Sequence, residues 1–598
     1  MKRRVSDYIA DYLEKIDVKK VFLLSGGGIM HLIDAISRKE KLKYICNHHE
    51  QSCVMAAEGY ARQSGKIGVS YVTSGPGATN TITGIVGAWL DSTPLLVISG
   101  QSKLSQTIRH TKISELRQFG TFEVDSIPIV KSITKYAAVL DDPQMVSYHL
   151  EKAITLATTG RPGPVFLEIP IDIQGMLINE DQLVPYIPQE EKINKSSLEE
   201  IDFVLEKIKK AKRPLILAGH GIRVSGSVDL FLKLILKLNV PVVTTQLATD
   251  LLDYNHPLYV GHPGMKGDRP GNFAIQTTDC LVILGSSLHV LTTGYELDQF
   301  APQAYKIQIE EDIGVLKKEQ VGVNKKIISD IKFFLEQLDD RISKESFSPK
   351  EKWQEKCNLW KKELAVINEP HKDEDEKVNY YHFCEVLSNL CDEKCSIVTD
   401  AGTAFYVIGQ AFKVKTEQRV IISGGLGTMG FALPASTGVA LAKETGQTIC
   451  VTGDGSLQTN IHEFATIAHN NLNIKIFILN NSGYISIQNT QNSFFKGHYV
   501  GVDAKSGVSF PNLEKIASAY GIDYVSVISK DNLKQTMQKV LDSNGPIICE
   551  IMANNLQEVI PTVSSVRLEN GQMKSKPLHD MFPFMDKDVL EKYTQILD

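Results

Sequence analysis

Short apolar runs alternate with helical patterns three times over, and this alternation constrains the 598-residue chain more than any other feature. Val21–Leu24, Tyr44–Cys46, Val69–Val72, Leu95–Ile98 and Val165–Ile169 form a first series of strand-length runs. Pro214–Ala218, Val240–Thr245, Cys280–Leu284 and Tyr305–Ile309 form a second; Ser396–Thr399, Thr448–Thr452, Lys475–Leu479 and Ile547–Ile551 form a third. Continuous apolar runs, rather than alternating ones, belong to strands covered on both faces, which is the signature of parallel sheets flanked by helices. The expected fold class is therefore α/β, with three doubly wound parallel-sheet domains at residues 1–185, 195–345 and 375–555 and a C-terminal tail at 556–598. Composition marks the joins. Pro185 to Ser197 is rich in Pro, Lys, Glu and Asn and reads as a linker. Arg341 to Lys377 is densely charged, with Trp353 and Trp360 offering a packing face to a partly helical segment.

Charge limits what such a chain binds. Lys+Arg number 64 against 70 Asp+Glu, a net charge of −6, so there is no bulk positive field to clamp a nucleic acid. Any phosphate must be held locally, by a metal or by backbone N–H groups. Cys391 and Cys395 have no second pair at zinc-ligand spacing, which points to reduced thiols in a cytoplasmic protein. No run approaches the ~20 apolar residues of a membrane helix. Val5 to Lys20 is amphipathic, a poor signal peptide.

The most specific chemistry sits in the third series. Gly453-Asp454-Gly455-Ser456 ends one strand; a helix from about Asn460 and a second strand follow, then Asn480-Asn481-Ser482-Gly483. Successive parallel strands bring their C-terminal ends to one sheet edge, where ligands of such sheets bind. Asp454 and Asn481 supply an anionic and a neutral oxygen there, and the Gly483 carbonyl a third, a donor set suited to Mg2+ that keeps phosphate oxygens in its shell. Gly453 and Gly455 let the backbone approach that phosphate.

This array resembles the thiamine diphosphate motif, and other segments support the resemblance. His49-Glu50-Gln51 with Ala56-Ala57-Glu58-Gly59-Tyr60-Ala61-Arg62 is similar to the helix that carries the family's activating glutamate. Thr73-Ser74-Gly75-Pro76-Gly77-Ala78-Thr79-Asn80, Asp91-Ser92-Thr93-Pro94 and Gly425-Leu426-Gly427-Thr428-Met429-Gly430-Phe431 resemble acetolactate synthase (acetohydroxyacid synthase). The likeness covers residues 1–555, with pyrimidine-binding, central and diphosphate-binding domains in family order. It implies thiamine diphosphate and Mg2+ as cofactors. Glu50 would contact the aminopyrimidine, bordered by Pro76 and Asn80. Gly427 would offer its carbonyl, and Met429 would wedge between the two rings. Gly402 and Thr403, with Gly453, Gly455 and Ser456, would hold the diphosphate. It also implies a homodimer or homotetramer with the active site at the subunit interface.

Departures from the pattern bear on substrate. The local sequence Gly120-Thr121-Phe122-Glu123-Val124-Asp125 puts Phe122 where acetohydroxyacid synthases carry Gln. Gly27, Phe122, Tyr484 and Gln488 are the candidate substrate residues. Tyr484 to Phe495, and the tail segment Ser575 to Met581, resemble a branch associated with bacterial glycan biosynthesis. The implied reaction is carboligation: a 2-oxo acid such as pyruvate loses CO2, and the acyl-carbanion unit passes to a second carbonyl such as a nucleotide-linked keto sugar. Acetolactate synthesis and simple decarboxylation to an aldehyde are the alternatives. FAD is a candidate for the central domain, through Gly264–Gly267 and Gly285–Leu288. The relatives' arginine is missing there, and Glu310 stands where they often have Asp.

Overall fold

The computed structural model describes residues 2–113, 115–188, 193–343, 347, 350–371, 376–555, 557–567 and 569–595. Parts of the two expected joins, 189–192, 344–346, 348–349 and 372–375, lie outside the described residues.

Three six-stranded parallel sheets form in sequence order. The first contains β1 (Lys20–Leu23), β2 (Lys43–Cys46), β3 (Gly68–Val72), β4 (Leu95–Gln101), β5 (Tyr136–Val139) and β6 (Pro164–Pro170). The second contains β7 (Pro214–Ala218), β8 (Val242–Thr244), β9 (Tyr259–Gly261), β10 (Cys280–Leu284), β11 (Tyr305–Glu310) and β12 (Lys325–Ile328). The third contains β13 (Ser396–Thr399), β14 (Arg419–Ile422), β15 (Thr448–Gly453), β16 (Ile474–Asn480), β17 (Asp523–Val527) and β18 (Ile547–Met552). The α/β class with three doubly wound parallel sheets is as the sequence led us to expect. Five of these strands, β5, β9, β12, β14 and β17, are additions to the expected set.

Strand order fixes where ligands can bind. The first sheet runs β2-β1-β3-β4-β6-β5 and the third β14-β13-β15-β16-β18-β17, so the two share one topology. The second runs β9-β8-β7-β10-β11-β12. In each, the chain reverses direction across the sheet beside the first strand of the series, and the crevice at that switch point opens at the strand C-termini. These points fall between β1 and β3, between β7 and β10, and between β13 and β15.

Two helices join the first and third sheets. α1 (Glu50–Ser64) is buried along most of its length, as is the first half of α3 (Ala432–Ala442). Between them in the chain lies α2 (Gly402–Ala411), and α4 (Ile485–Phe495) follows β16. α1 and α3 touch backbone to backbone. A Cβ on Gly59 would overlap the Ala435 carbonyl, and one on Gly438 would overlap that of Ala56. Small residues here serve close approach, since the hydrophobic effect rewards area and glycine removes the side chain that would hold the helices apart.

The charged join after the second sheet forms a helix, Glu351–Glu363, whose Trp353 and Trp360 enter the second unit's core. Trp353 Nε1 donates to the Pro214 carbonyl at 2.9 Å. The tail docks on the same unit. Leu578 and Met581 join Phe273 and Trp360 in one cluster, and Val563 N donates to Met265 O at 2.9 Å. Arg269 holds it by donating to Glu369 at 3.0 Å and to the Pro583 carbonyl at 2.5 Å. Among the described residues, no helix is long and apolar enough to cross a membrane.

Gly438→Ala forces a methyl into the α1–α3 contact. Despite alanine's better helix propensity, we predict that urea unfolding shows a loss of about 1–3 kcal/mol.

Candidate active site

At the third switch point, β15 ends in Gly453 and the chain turns at once into the short helix Asp454–Leu457. This short turn precedes the helix expected from about Asn460, which forms as Ile461–Glu463 and Phe464–His469, and the Asp454 carboxylate sits at the turn's first residue, where negative charge is favoured. Asp454 Oδ1 accepts from Gly455 N at 3.0 Å and Oδ2 from Gly483 N at 3.2 Å. Gly483 N is shared with Asn481 Oδ1, also at 3.2 Å. Asn481 Nδ2 donates to the Tyr380 hydroxyl at 2.7 Å, which turns the amide oxygen toward Gly483. Asp454, Asn481 and Gly483 therefore share one pocket. Tyr484 packs its ring over Gly455, and the Gln488 amide lies 3.1 Å from where a Gly483 Cβ would be.

Asp400, at the end of β13, organises the neighbouring wall. Its Oδ2 accepts from Thr452 Oγ1 at 2.9 Å and Ser456 Oγ at 2.8 Å, and Ser456 Oγ accepts from Gly430 N at 2.9 Å. Burial raises the Asp400 carboxyl pKa. Gly402 follows at φ +68°, a left-handed conformation suited to glycine, and opens α2 with Thr403. Asp400 and Tyr380 carry no local motif, so the sequence gives them no more weight than any other buried polar residue.

The first sheet's switch point gathers a second group. Glu50 is the first residue of α1, whose N-terminus is capped by His49 Nδ1 accepting from Gln51 N at 3.1 Å. Glu50 is only 6% exposed, and Asn80 Nδ2 donates to its Oε2 at 2.9 Å. Pro76 begins the turn that carries Asn80. Gly27 lies in the adjoining turn after β1, where Gly28 N donates to Thr73 Oγ1 at 3.1 Å. Gly75 has φ +62°, and Phe122 lies beside it. Phe122 is itself at φ +57° and 71% exposed.

Two carboxylates tie these groups together within one chain. Glu463 accepts from Asn47 Nδ2 at 2.8 Å and His48 N at 2.9 Å, gripping the segment that leads into Glu50. Ser52 Oγ donates to Asn460 Oδ1 at 3.0 Å, one turn further on. Asp91 accepts from Gly424 N at 3.0 Å and Gly425 N at 2.7 Å, fixing the loop that leads to α3. In that loop Gly427 takes φ +65°, and Leu426 and Met429 stand 38% and 40% exposed. A large apolar side chain held out by a braced turn is a contact surface in waiting.

The residues fit a diphosphate and a divalent cation. Asp454 is 2% exposed and makes no ion pair with Lys or Arg among the described residues, and burial pushes its pKa up to about 7. A cation would relieve that desolvation. Thr403 Oγ1 is buried without a partner among the described residues, a donor available to a phosphate oxygen. A Cβ built on Gly453 meets nothing within 4 Å, so the backbone there is open to a ligand.

Comparison with known proteins agrees with this geometry. Residues 3–121 match the thiamine pyrophosphate enzyme N-terminal TPP binding domain, 201–338 the central domain and 400–551 the C-terminal TPP binding domain. The acetolactate synthase large subunit of Cyanidium caldarium is 32% identical, over 94% of this chain and 95% of the relative. That of Lactococcus lactis is 31% identical over 93% and 94%. The acetolactate synthase isozyme 1 large subunit of Escherichia coli is 30% identical over 93% and 95%.

Glu463→Gln replaces an acceptor with a donor facing Asn47 and His48. We expect unfolding stability to fall by about 1–3 kcal/mol, with turnover falling too as the start of α1 loosens.

Proposed function

The chain belongs to the thiamine pyrophosphate enzymes of the acetolactate synthase type, and from that premise we propose that it is a carboligase. It decarboxylates pyruvate or a similar 2-oxo acid and joins the acyl unit to a second carbonyl compound. The observation that carries this reading is a pair of buried carboxylates past strand C-termini of two like sheets, Glu50 after β2 and Asp454 after β15. Glu50 is held by Asn80, and Asp454 is left without a protein cation.

Bound thiamine diphosphate would supply the electron sink that stabilises charge as CO2 leaves. Asp454, Asn481 and Gly483 would hold Mg2+, and Gly402, Thr403, Gly453, Gly455 and Ser456 the diphosphate. Pro76 and Asn80 would border the pyrimidine, with Gly427 offering its carbonyl and Met429 its apolar side chain. Glu50 gives and takes a proton at its carboxylate, oriented by the Asn80 amide. Leu426 and Met429, braced yet exposed, favour cover by a second copy of the chain, as a homodimer or homotetramer with a shared site.

The acceptor side is open. Phe122, Ile487, Phe494 and Phe495 are all at least half exposed. Together with the amide lost at Phe122, this supports an acceptor larger than pyruvate, a nucleotide-linked keto sugar being our candidate. At the central switch point, a cavity of about 290 Å3 is lined by Gly221, Gly285, Ser286 and Glu310. A Cβ on Gly221 would lie 2.8 Å from Gly285 Cα, and Glu310 Oε1 accepts from Glu311 N at 3.0 Å. A carboxylate at that strand end suits a ribose hydroxyl, which supports FAD as a further cofactor. A flavin absorption spectrum in the purified protein checks this. All nine cysteines are free thiols, in keeping with a cytoplasmic location.

Product masses from pyruvate, with and without a panel of keto sugars, test the main reading. A two-carbon adduct of one sugar is expected; free acetaldehyde as the sole product contradicts it. Glu50→Gln should lower turnover about 10²–10⁴-fold while leaving Mg2+-dependent cofactor affinity within about tenfold.

A further inference from the structure

We propose that the junction of the three sheet units binds a small oxyanion, a phosphate or a carboxylate, between Arg62, Arg223 and Arg419. A cavity of about 530 Å3 lies there, lined by these three arginines and His220 among others. Arg62 comes from α1, Arg223 from the short helix Gly221–Val224 after β7, and Arg419 from the start of edge strand β14. Each of the three sheet units thus contributes one guanidinium.

The carboxylates around them are unevenly shared. Asp250 serves two arginines at once, accepting from Arg223 at 3.0 Å and from Arg419 Nε at 2.8 Å. Burial alone would raise its pKa; the two guanidiniums hold it well below the ordinary range. Arg62, with a side chain only 5% exposed, stands 3.3 Å from Asp91 and 3.5 Å from Glu58. Asp91 is already engaged by Gly424 and Gly425 N–H, and burial pushes Glu58 toward its neutral form. Three guanidiniums thus face three buried carboxylates, of which Asp250 alone serves two.

Three buried nitrogens beside the cavity are left unpaired. Arg62 Nε, Arg223 Nε and His220 Nδ1 are buried without a hydrogen-bond partner among the described residues. An unpaired buried donor is costly, and guanidinium forks suit oxyanions bidentately. An oxyanion in the cavity offers acceptors to the guanidiniums that line it.

The position gives such a ligand leverage. Arg419 opens β14, and Arg62 donates to the carbonyl of Ile422 at its other end, at 2.5 Å. The next residues form the loop of Gly427 and Met429, which Asp91 braces. An anion that draws on Arg62 is therefore felt in that loop through Asp91 and Ile422.

The test uses protein loaded with thiamine diphosphate, Mg2+ and FAD, so that the other phosphate sites are filled. Thermal unfolding is followed against inorganic phosphate and against succinate, with chloride at matched ionic strength as reference. A saturable rise in melting temperature is expected, with apparent affinity at least about tenfold weaker in Arg223→Gln. Tighter phosphate than succinate assigns the ligand to phosphates, and the reverse to carboxylates. If Arg223→Gln does not fold, Arg223→Lys keeps the charge, loses the fork and carries the same comparison. No saturable response to either anion, or an unchanged response in the variant, would overturn the proposal.

Discussion

The backbone contact between α1 and α3 is the constraint on which the rest of this structure depends. α1 carries Glu50 at its first residue, and α3 is entered through the loop of Gly427 and Met429. Because Gly59 and Gly438 let the helices meet without side chains between them, neither helix can slide without a clash. The grip of Glu463 on Asn47 and His48 then locks the N-terminal end of α1, and Asp91 locks the loop before α3. The catalytic reading follows from this frame. A proton-exchanging carboxylate and an apolar wedge need fixed positions far more than they need unusual chemistry of their own.

A second regularity is topological. The first and third sheets have the same strand order, so their switch points are equivalent places in two like units. One offers a carboxylate on a helix N-terminus; the other offers a carboxylate in a glycine turn. In the proposed reading the same fold would serve once for an organic ring and once for a metal-bound diphosphate, a division set by the residues at the strand ends.

Much of this was legible in the sequence, and what was not has a physical pattern. The strands absent from the expected set, Tyr136–Val139, Tyr259–Gly261, Lys325–Ile328, Arg419–Ile422 and Asp523–Val527, are all edge strands of their sheets. An edge strand has one neighbour and partial cover, so it tolerates polar residues and loses the continuous signal of an inner strand. Among the candidate site residues, Asp454 and Asn481 stand out in the sequence because each sits in a polar turn directly after an apolar strand run. Asp400, Asp91, Glu463 and Tyr380 make their contacts across long separations in sequence, and no spacing rule exposes such contacts. The tail illustrates the same limit. The resemblance of Ser575 to Met581 to the glycan-associated branch said nothing of the docking seen here, where Leu578 and Met581 join the second unit's core.

The central element of the proposed function is that Glu50 and Asp454 act on the same bound coenzyme at a site shared by two copies of the chain, one carboxylate from each. Co-expression of Glu50→Ala and Asp454→Ala chains, each inactive alone, tests it most directly. Mixed dimers then contain one intact site and one doubly altered site, so the account predicts recovery of up to about a quarter of wild-type carboligation activity. No recovery in verified mixed dimers would contradict it.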